Sequence, residues 1–297
     1  MMLFKDALPP NQPGLFLPES LRFNFDGSCL SWVDIETGTL SKLSLHTGAV
    51  SARFVANDLS FAHPLTGDDY LVAFGSVLAV LTSDGIQDVS GPLIADHRRF
   101  NDGSVDSRGR LVLGAKSREG TGSDNPLILC SEEKVEVLDN DLGLSNGIAI
   151  EPNTLALYSV DSQASTIYRR KLCADGRYAE PEIFYIFSPR ETPDGIAFND
   201  QGDLCVALWG SAAVALLNPK GVEVERWLVP SPFVTSVTLH PVSGDLYVGT
   251  ASENREGLRN ARRPGRIWRA PLGMSGTPNY DWVAFELANL GRESDID

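Results

Sequence analysis

Glu19, Asn146 and Asp194 are hard oxygen donors that stand at one phase of a repeating pattern. Each lies eight residues ahead of a turn, at Gly27, Thr154 and Gly202 respectively. Such donors, drawn from separate segments, suit Ca²⁺, Mg²⁺ or Mn²⁺, and carboxylates also bind Zn²⁺. A site with three protein ligands keeps positions open for water and substrate, as Lewis-acid catalysis requires. Taken singly, S-N-G at 145–147 and P-D-G at 193–195 are ordinary turn tripeptides, because Asn and Asp tolerate turn geometry and Gly allows positive φ. Their shared phase is what points the three groups at one axis.

A second constellation is R-F-N-D-G at 99–103. Arg99 and Asn101 are two apart, so in an extended segment they face the same side. A guanidinium fork and an amide at one mouth can grip hydroxyls or a carboxylate. A salt bridge plus an Asx-turn would use the same residues structurally. The histidines, His46, His63, His97 and His240, all miss the ring phase, so no Ser-His-Asp arrangement competes.

The elements that would position these groups repeat along the chain. Glu19, Leu59, Asn101, Asn146, Asp194 and Ser236 are spaced by 40, 42, 45, 48 and 42 residues, each eight before Gly27, Gly67, Gly109, Thr154, Gly202 and Gly244. Short runs rich in Val, Leu, Tyr and Trp flank each turn, such as LSWVDI, YLVAFG and LCVALWG. That is the strand-turn-strand signal. A repeat of this length built from strands predicts an all-β fold, a six-bladed β-propeller spanning 1–297 as one domain. Four strands per blade are expected, with the outermost legible only in places, as in VEVLD and EVERWLV. The N-terminal segment is expected to pair with the blade containing residues 236–288 and so close the ring, removing exposed edges. Few or no helices are expected.

Composition bounds the function classes. The chain has 297 residues, 42% hydrophobic, with a net charge of −14. That balance argues against nucleic acid and against an anionic membrane surface as partners. One local exception is Arg255, Arg259, Arg262, Arg263, Arg266 and Arg269, either an anion-binding loop or a solvated loop in the last repeat. Lys5 and Asp6 interrupt any apolar leader. Cys29, Cys130, Cys173 and Cys205 form no C-x-x-C pair, so reduced thiols and a cytoplasmic location are expected. A monomer or weak homo-oligomer is expected.

The ordered motifs carry a resemblance. R-F-N-D-G-x-x-D-x-x-G-R at 99–110, L-S-N-G-I-A at 144–149, Y-x-V-D-S at 158–162, T-P-D-G-I-A at 192–197, V-A-L-W-G at 206–210 and V-T-S at 234–236 occur in sequence. Together they resemble the senescence marker protein (regucalcin), gluconolactonase and luciferin-regenerating enzyme family. The resemblance implies a six-bladed propeller with one divalent metal on the axis (Ca, Zn, Mn or Mg), hydrolysing a sugar lactone. It implies Glu19, Asn146 and Asp194 as metal ligands, with Asp194 also the catalytic base. It implies Arg99, Asn101 and Glu119 as substrate-binding residues. Ser20 stands where the family usually has Gly after the first ligand. A phosphotriesterase or fluorophosphatase on the same metal site, or a non-catalytic calcium-binding propeller, are the alternative functions.

Overall fold

The computed structural model describes residues 4–120, 122–252 and 265–290. Six four-stranded antiparallel sheets account for its strands. Their innermost strands are Pro18–Phe23, Leu59–Pro64, Arg98–Val105, Ser145–Ile150, Thr192–Phe198 and Val234–Leu239, which define blades 1 to 6. Each innermost strand packs on the next, and the sixth packs on the first, so the ring closes. The fold is a single-domain, six-bladed β-propeller.

Blades 1 to 5 are simple meanders from the axis outwards, whereas the sixth takes its outermost strand from the other end of the chain. Lys5–Asp6 lies antiparallel to Arg266–Pro271, with Lys5 opposite Arg269 and Asp6 opposite Trp268. Two arginines of the Arg-rich run serve this blade. Arg266 donates from Nε to Asp6 at 2.6 Å and from Nη1 to the Gln12 carbonyl at 2.9 Å, and Arg269 donates from Nε to Asp245 at 2.8 Å. Arg255, Arg259, Arg262 and Arg263 lie outside the described residues.

The apolar core is divided among the blade interfaces. Each of six buried clusters lies between two neighbouring blades, and together they cover every interface around the ring. Trp32 of blade 1 and Tyr247 of blade 6, for example, are buried in one cluster. The outermost strands contribute little: Val50–Phe54, Glu182–Ile186 and Glu223–Leu228 are mostly exposed or half-exposed. They are therefore free of the apolar alternation that marks a core strand.

The repeat's turn has a conformational basis. Gly27, Gly67, Gly109, Gly202 and Gly244 all have positive φ, between 68° and 84°. Blade 4 carries Thr154 there, and the left-handed residue is instead the next one, Leu155, at φ 60°. Beyond the last blade strand, the chain runs across this turn end of the propeller. Met274 N–H bonds to Gly244 O, Asp200 N–H to Ser275 O, and Val283 N–H to Gly109 O. A three-residue 3₁₀ turn at Leu287–Asn289 follows. No described helix is long and apolar enough to cross a membrane.

Candidate active site

All six ring positions fall in the innermost strands, and in every blade the pairing register with the second strand breaks at or beside them. In blade 3 Asn101 is itself the extra residue, between Phe100 and Asp102, and in blade 5 the break spans Asp194 and Gly195. A bulge bends its strand and re-aims a side chain, so six bulges at one phase give six side chains a setting that regular strands would not. In blade 1 the bulge includes Ser20, which takes a left-handed φ of 54°. A glycine would adopt that conformation without strain. The Ser20 hydroxyl meets the Ala62 backbone of blade 2, accepting from its N–H at 3.2 Å.

The glycines of S-N-G and P-D-G are not turn residues. Gly147 and Gly195 sit inside strands without positive φ. A Cβ on Gly147 would lie 2.3 Å from the Asp194 carbonyl oxygen, and one on Gly195 would lie 2.8 Å from both the Thr235 carbonyl oxygen and Ser236 Cα. Blade 4 therefore approaches blade 5, and blade 5 approaches blade 6, at the residue after each ring position. Side chains tie other neighbours: Asn101 Nδ2 donates to Ser145 O at 3.1 Å, and Ser236 Oγ accepts from Leu21 N–H at 3.2 Å.

Glu19 is half-buried, while Asn146 and Asp194 are buried. Asn146 has a defined orientation. Ser162 Oγ donates its one proton to the Pro193 carbonyl at 2.6 Å, so towards Asn146 Nδ2, 3.2 Å away, it can only accept. The amide therefore spends an N–H on Ser162 and keeps its oxygen for another partner. The three residues offer two carboxylates and one amide oxygen, with no His or Cys, a chemistry that suits a hard divalent cation. Among the described residues no three His, Cys, Asp or Glu side chains cluster as a metal site. In this set the third oxygen is an amide's.

Arg99 and Asn101 contact each other, as their spacing suggests. Arg99 Nη1 donates to Asn101 Oδ1 at 3.2 Å and to the Phe100 carbonyl at 2.8 Å. Burial lowers the Arg99 guanidinium from its ordinary range, and the charges of Asp58, Glu19 and Glu36 oppose that shift. Glu119 is exposed in the turn after Leu111–Ser117, its N–H bonded to Ser117 Oγ at 3.2 Å. Its neighbour Arg118 pairs with Asp58.

A model of the SMP-30/Gluconolactonase/LRE-like region matches residues 17–252. The chain belongs to this family. The match begins at the strand carrying Glu19 and leaves out the two outer strands of blade 6, Arg266–Pro271 beyond it and Lys5–Asp6 before it. Among relatives of this family member, a 6-deoxy-6-sulfogluconolactonase of Pseudomonas putida is 29% identical over 83% of this chain and 88% of its own. The pentonolactonase XacC of Haloferax volcanii is 27% identical over 86% of this chain and 90% of its own. The crystal structure of regucalcin, a calcium-binding protein from Agrobacterium tumefaciens strain C58, superimposes with a TM-score of 0.83 at 20% identity, covering 95% and 97% of the two chains. At that identity the superposition speaks for the fold.

Sequence reasoning missed two features of this family member's site. One is a cavity of about 80 Å³ directly beyond the ring, lined by Ser20, Arg22, His63, Asp102, Gly195 and Ser236 among others. The Arg22 guanidinium donates to the Gly103 carbonyl and lies 5.2 Å from the Phe61 ring centroid. Burial raises the Asp102 carboxyl, and the charge of Arg22 opposes this. His63 bonds through Nε2 to the Tyr280 carbonyl at 2.9 Å. A carbonyl only accepts, so Nε2 carries the proton. Burial, with Arg22 adding to it, lowers the His63 pKa to about 3, so the ring is neutral at pH 7. No ring phase flagged His63 because it lies four residues past Leu59.

The second missed feature is a pair of aspartates, Asp34 and Asp161, at the ends of the second strands of blades 1 and 4. Asp34 accepts from Phe16 N–H at 2.8 Å and Leu17 N–H at 3.2 Å. Asp161 accepts from Gly143 N–H at 2.9 Å and Leu144 N–H at 3.1 Å. Burial raises the Asp34 carboxyl, opposed by backbone N–H bonds from Phe16, Leu17, Thr37 and Glu36. The signal was present, since V-D ends the second strand in both LSWVDI and Y-x-V-D-S.

Proposed function

We propose that this chain is a divalent-metal-dependent lactonase that hydrolyses a sugar lactone to the aldonic or related sugar acid. The observation that carries the proposal is the Asn146 amide, turned by Ser162 so that its oxygen is left for another partner, and we assign that oxygen to one cation with the Glu19 and Asp194 carboxylates. Membership in the family supports it, as do the lactonase names of the relatives.

Glu19, Asn146 and Asp194 would hold the cation, which when bound would polarise the lactone carbonyl and stabilise its oxyanion. Asp194 takes a proton from the attacking water as that oxygen bonds to the carbonyl carbon. The ring C–O bond then breaks, and the proton passes to the departing alkoxide oxygen. One water is consumed and a hydroxy acid is formed. Arg99 orients substrate hydroxyls or a carboxylate. Asn101 fixes Arg99 and retains an amide proton and an oxygen lone pair for the substrate. Glu119, exposed in its turn, is proposed to bind substrate as well. We place the enzyme in the cytoplasm, in keeping with its four free cysteines.

A pH-indicator hydrolysis screen of aldonolactones, with chelator and with Ca²⁺, Zn²⁺, Mn²⁺ or Mg²⁺ restored, tests the proposal. Turnover that chelator abolishes and one ion restores is the expected result. Turnover confined to phosphotriesters or fluorophosphates, or metal binding with no turnover, would replace the lactonase assignment.

A further inference from the structure

Asp34 and Asp161 occupy one phase of the repeat, each fifteen residues after a ring donor, Glu19 and Asn146 respectively. Each bonds the N–H groups 18 and 17 residues before it, and these come two and three residues ahead of the ring donor. Each also holds the loop after its own strand. Asp161 accepts from Gln163 N–H at 3.0 Å and Ala164 N–H at 3.2 Å, and at Asp34 the main-chain carbonyl accepts from Thr37 N–H at 3.2 Å. The same two carboxylate bonds to the segment ahead of the donor therefore recur in two blades. At this phase the other four blades carry Phe74, Lys116, Trp209 and Ala251.

Two of the three blades with an axial donor thus share a carboxylate clamp. The third, blade 5, has Trp209 at that point. Its donor, Asp194, is approached from blade 4 instead, because Ser162, next to Asp161, bonds the carbonyl of Pro193. The same hydroxyl orients Asn146.

We infer that Asp34, Asp161 and Ser162 are positioning residues of the axial site, fixing the entry of its donors into the ring. This rests on the reading that Glu19, Asn146 and Asp194 hold a cation. Outer groups of this kind typically change metal affinity by about 10- to 100-fold. In Asp34→Asn or Asp161→Asn, one carboxylate oxygen becomes an NH₂ facing N–H donors. Ser162→Ala leaves the Asn146 amide without the partner that sets its orientation. Asp106 provides the control. It is buried too and holds backbone N–H groups, accepting from Arg108 N–H at 2.9 Å and Arg110 N–H at 3.0 Å as well as from Tyr178 OH at 3.1 Å and the Arg110 guanidinium, but it lies at the turn end of blade 3.

Isothermal titration of the full chain with Ca²⁺, Zn²⁺, Mn²⁺ and Mg²⁺ in turn identifies the ion that wild type binds. With that ion, Asp34→Asn, Asp161→Asn and Ser162→Ala should each bind about 10- to 100-fold more weakly. Asp106→Asn should lose thermal stability but keep wild-type affinity. Ser162→Ala removes a single atom and keeps the test open if an aspartate variant fails to fold. Wild-type affinity in Ser162→Ala and in the folded aspartate variants would overturn the inference while leaving the metal site standing. Equal weakening in Asp106→Asn would reduce the effect to general stability and overturn it too. A wild-type chain that binds none of the four ions would remove the metal site and the inference together.

Discussion

Gly147→Ala is the smallest change that should damage both packing and chemistry. The added methyl would sit 2.3 Å from the Asp194 carbonyl oxygen, 2.9 Å from Ile196 N and 3.1 Å from Ile196 Cγ1. Two of these three atoms belong to the backbone, so no rotamer change relieves them. Blades 4 and 5 must part by roughly 0.7 Å before the first contact reaches even 3.0 Å. Overpacking of this kind costs about 1–3 kcal/mol. Loss of glycine's freedom in the unfolded chain returns about 0.4–1 kcal/mol. The net expectation is a loss of about 1–2 kcal/mol.

The functional loss should exceed what that stability change suggests. The displaced atom belongs to Asp194, and a misplacement near 1 Å can cost about 100-fold in rate. We expect kcat/KM on the best lactone to fall about ten- to a hundredfold at a temperature where the variant is folded. Lactone hydrolysis and urea midpoints, measured on one preparation, check both numbers. Wild-type activity together with a wild-type midpoint would refute the reasoning. It would mean that the glycine of S-N-G does not set the spacing of these blades.

Asp194→Asn should lower turnover about 10²- to 10⁴-fold, the range for a lost general base, and weaken cation binding, with the circular dichroism spectrum unchanged. Wild-type turnover would end its assignment as base. Arg99→Ala should cost about 1.5–3 kcal/mol in kcat/KM, roughly ten- to a hundredfold, with cation affinity unchanged by titration. Larger losses on acidic than on neutral lactones would show that Arg99 reads a carboxylate. His63 should make the fold acid-sensitive: its pKa falls from 6.5 to about 3 on burial, so below pH 6.5 the unfolded chain binds the extra proton. The stability this supplies is complete above pH 6.5 and is lost as pH falls towards 3, by roughly 2–3 kcal/mol at pH 4.5. His63→Gln should lose less than wild type between pH 6.5 and 4.5 in urea titrations, and parallel losses would exclude His63 as the cause.

Much of this fold was legible because its period is written in backbone chemistry. Gly27, Gly67, Gly109, Gly202 and Gly244 recur because the turn needs a left-handed residue, and five of six blades meet that need with glycine at one phase. The outer strands were faint because exposed positions such as Ser51, Ala52, Arg53 and Phe54 pack against little and are free to be almost anything. The shared placement of Glu19, Asn146 and Asp194 on innermost strands was legible by phase, but the meaning of the glycines after Asn146 and Asp194 was not. N-G and D-G spell a turn locally, whereas here tertiary packing uses the missing Cβ for contact between blades. His63 and the clamp aspartates were hidden for a similar reason. Their roles depend on partners far along the chain, Tyr280 for His63 and Phe16 and Leu17 for Asp34, which no local pattern connects.

Six equivalent backbone frames do not make six equivalent sites, and the ring shows how the equivalence is broken. Blades 2 and 6 place Leu59 and Ser236 at the ring phase. Leu59 is fully buried in the cluster between blades 1 and 2, and the Ser236 hydroxyl receives Leu21 N–H of blade 1. These two positions contribute to closure of the ring on either side of blade 1. Blades 1, 3, 4 and 5 carry Glu19, Asn101, Asn146 and Asp194, and the polar contacts around the donors concentrate there, through Asn101 to Ser145 and through Ser162 to Asn146 and Pro193. Repetition supplies the bulge and the axis, and side chains at one phase then make four ring positions polar and acidic or amide-bearing, while the two that flank blade 1 serve packing and closure. The side chains at one phase thus differ from blade to blade, while the register break at that phase is common to all six.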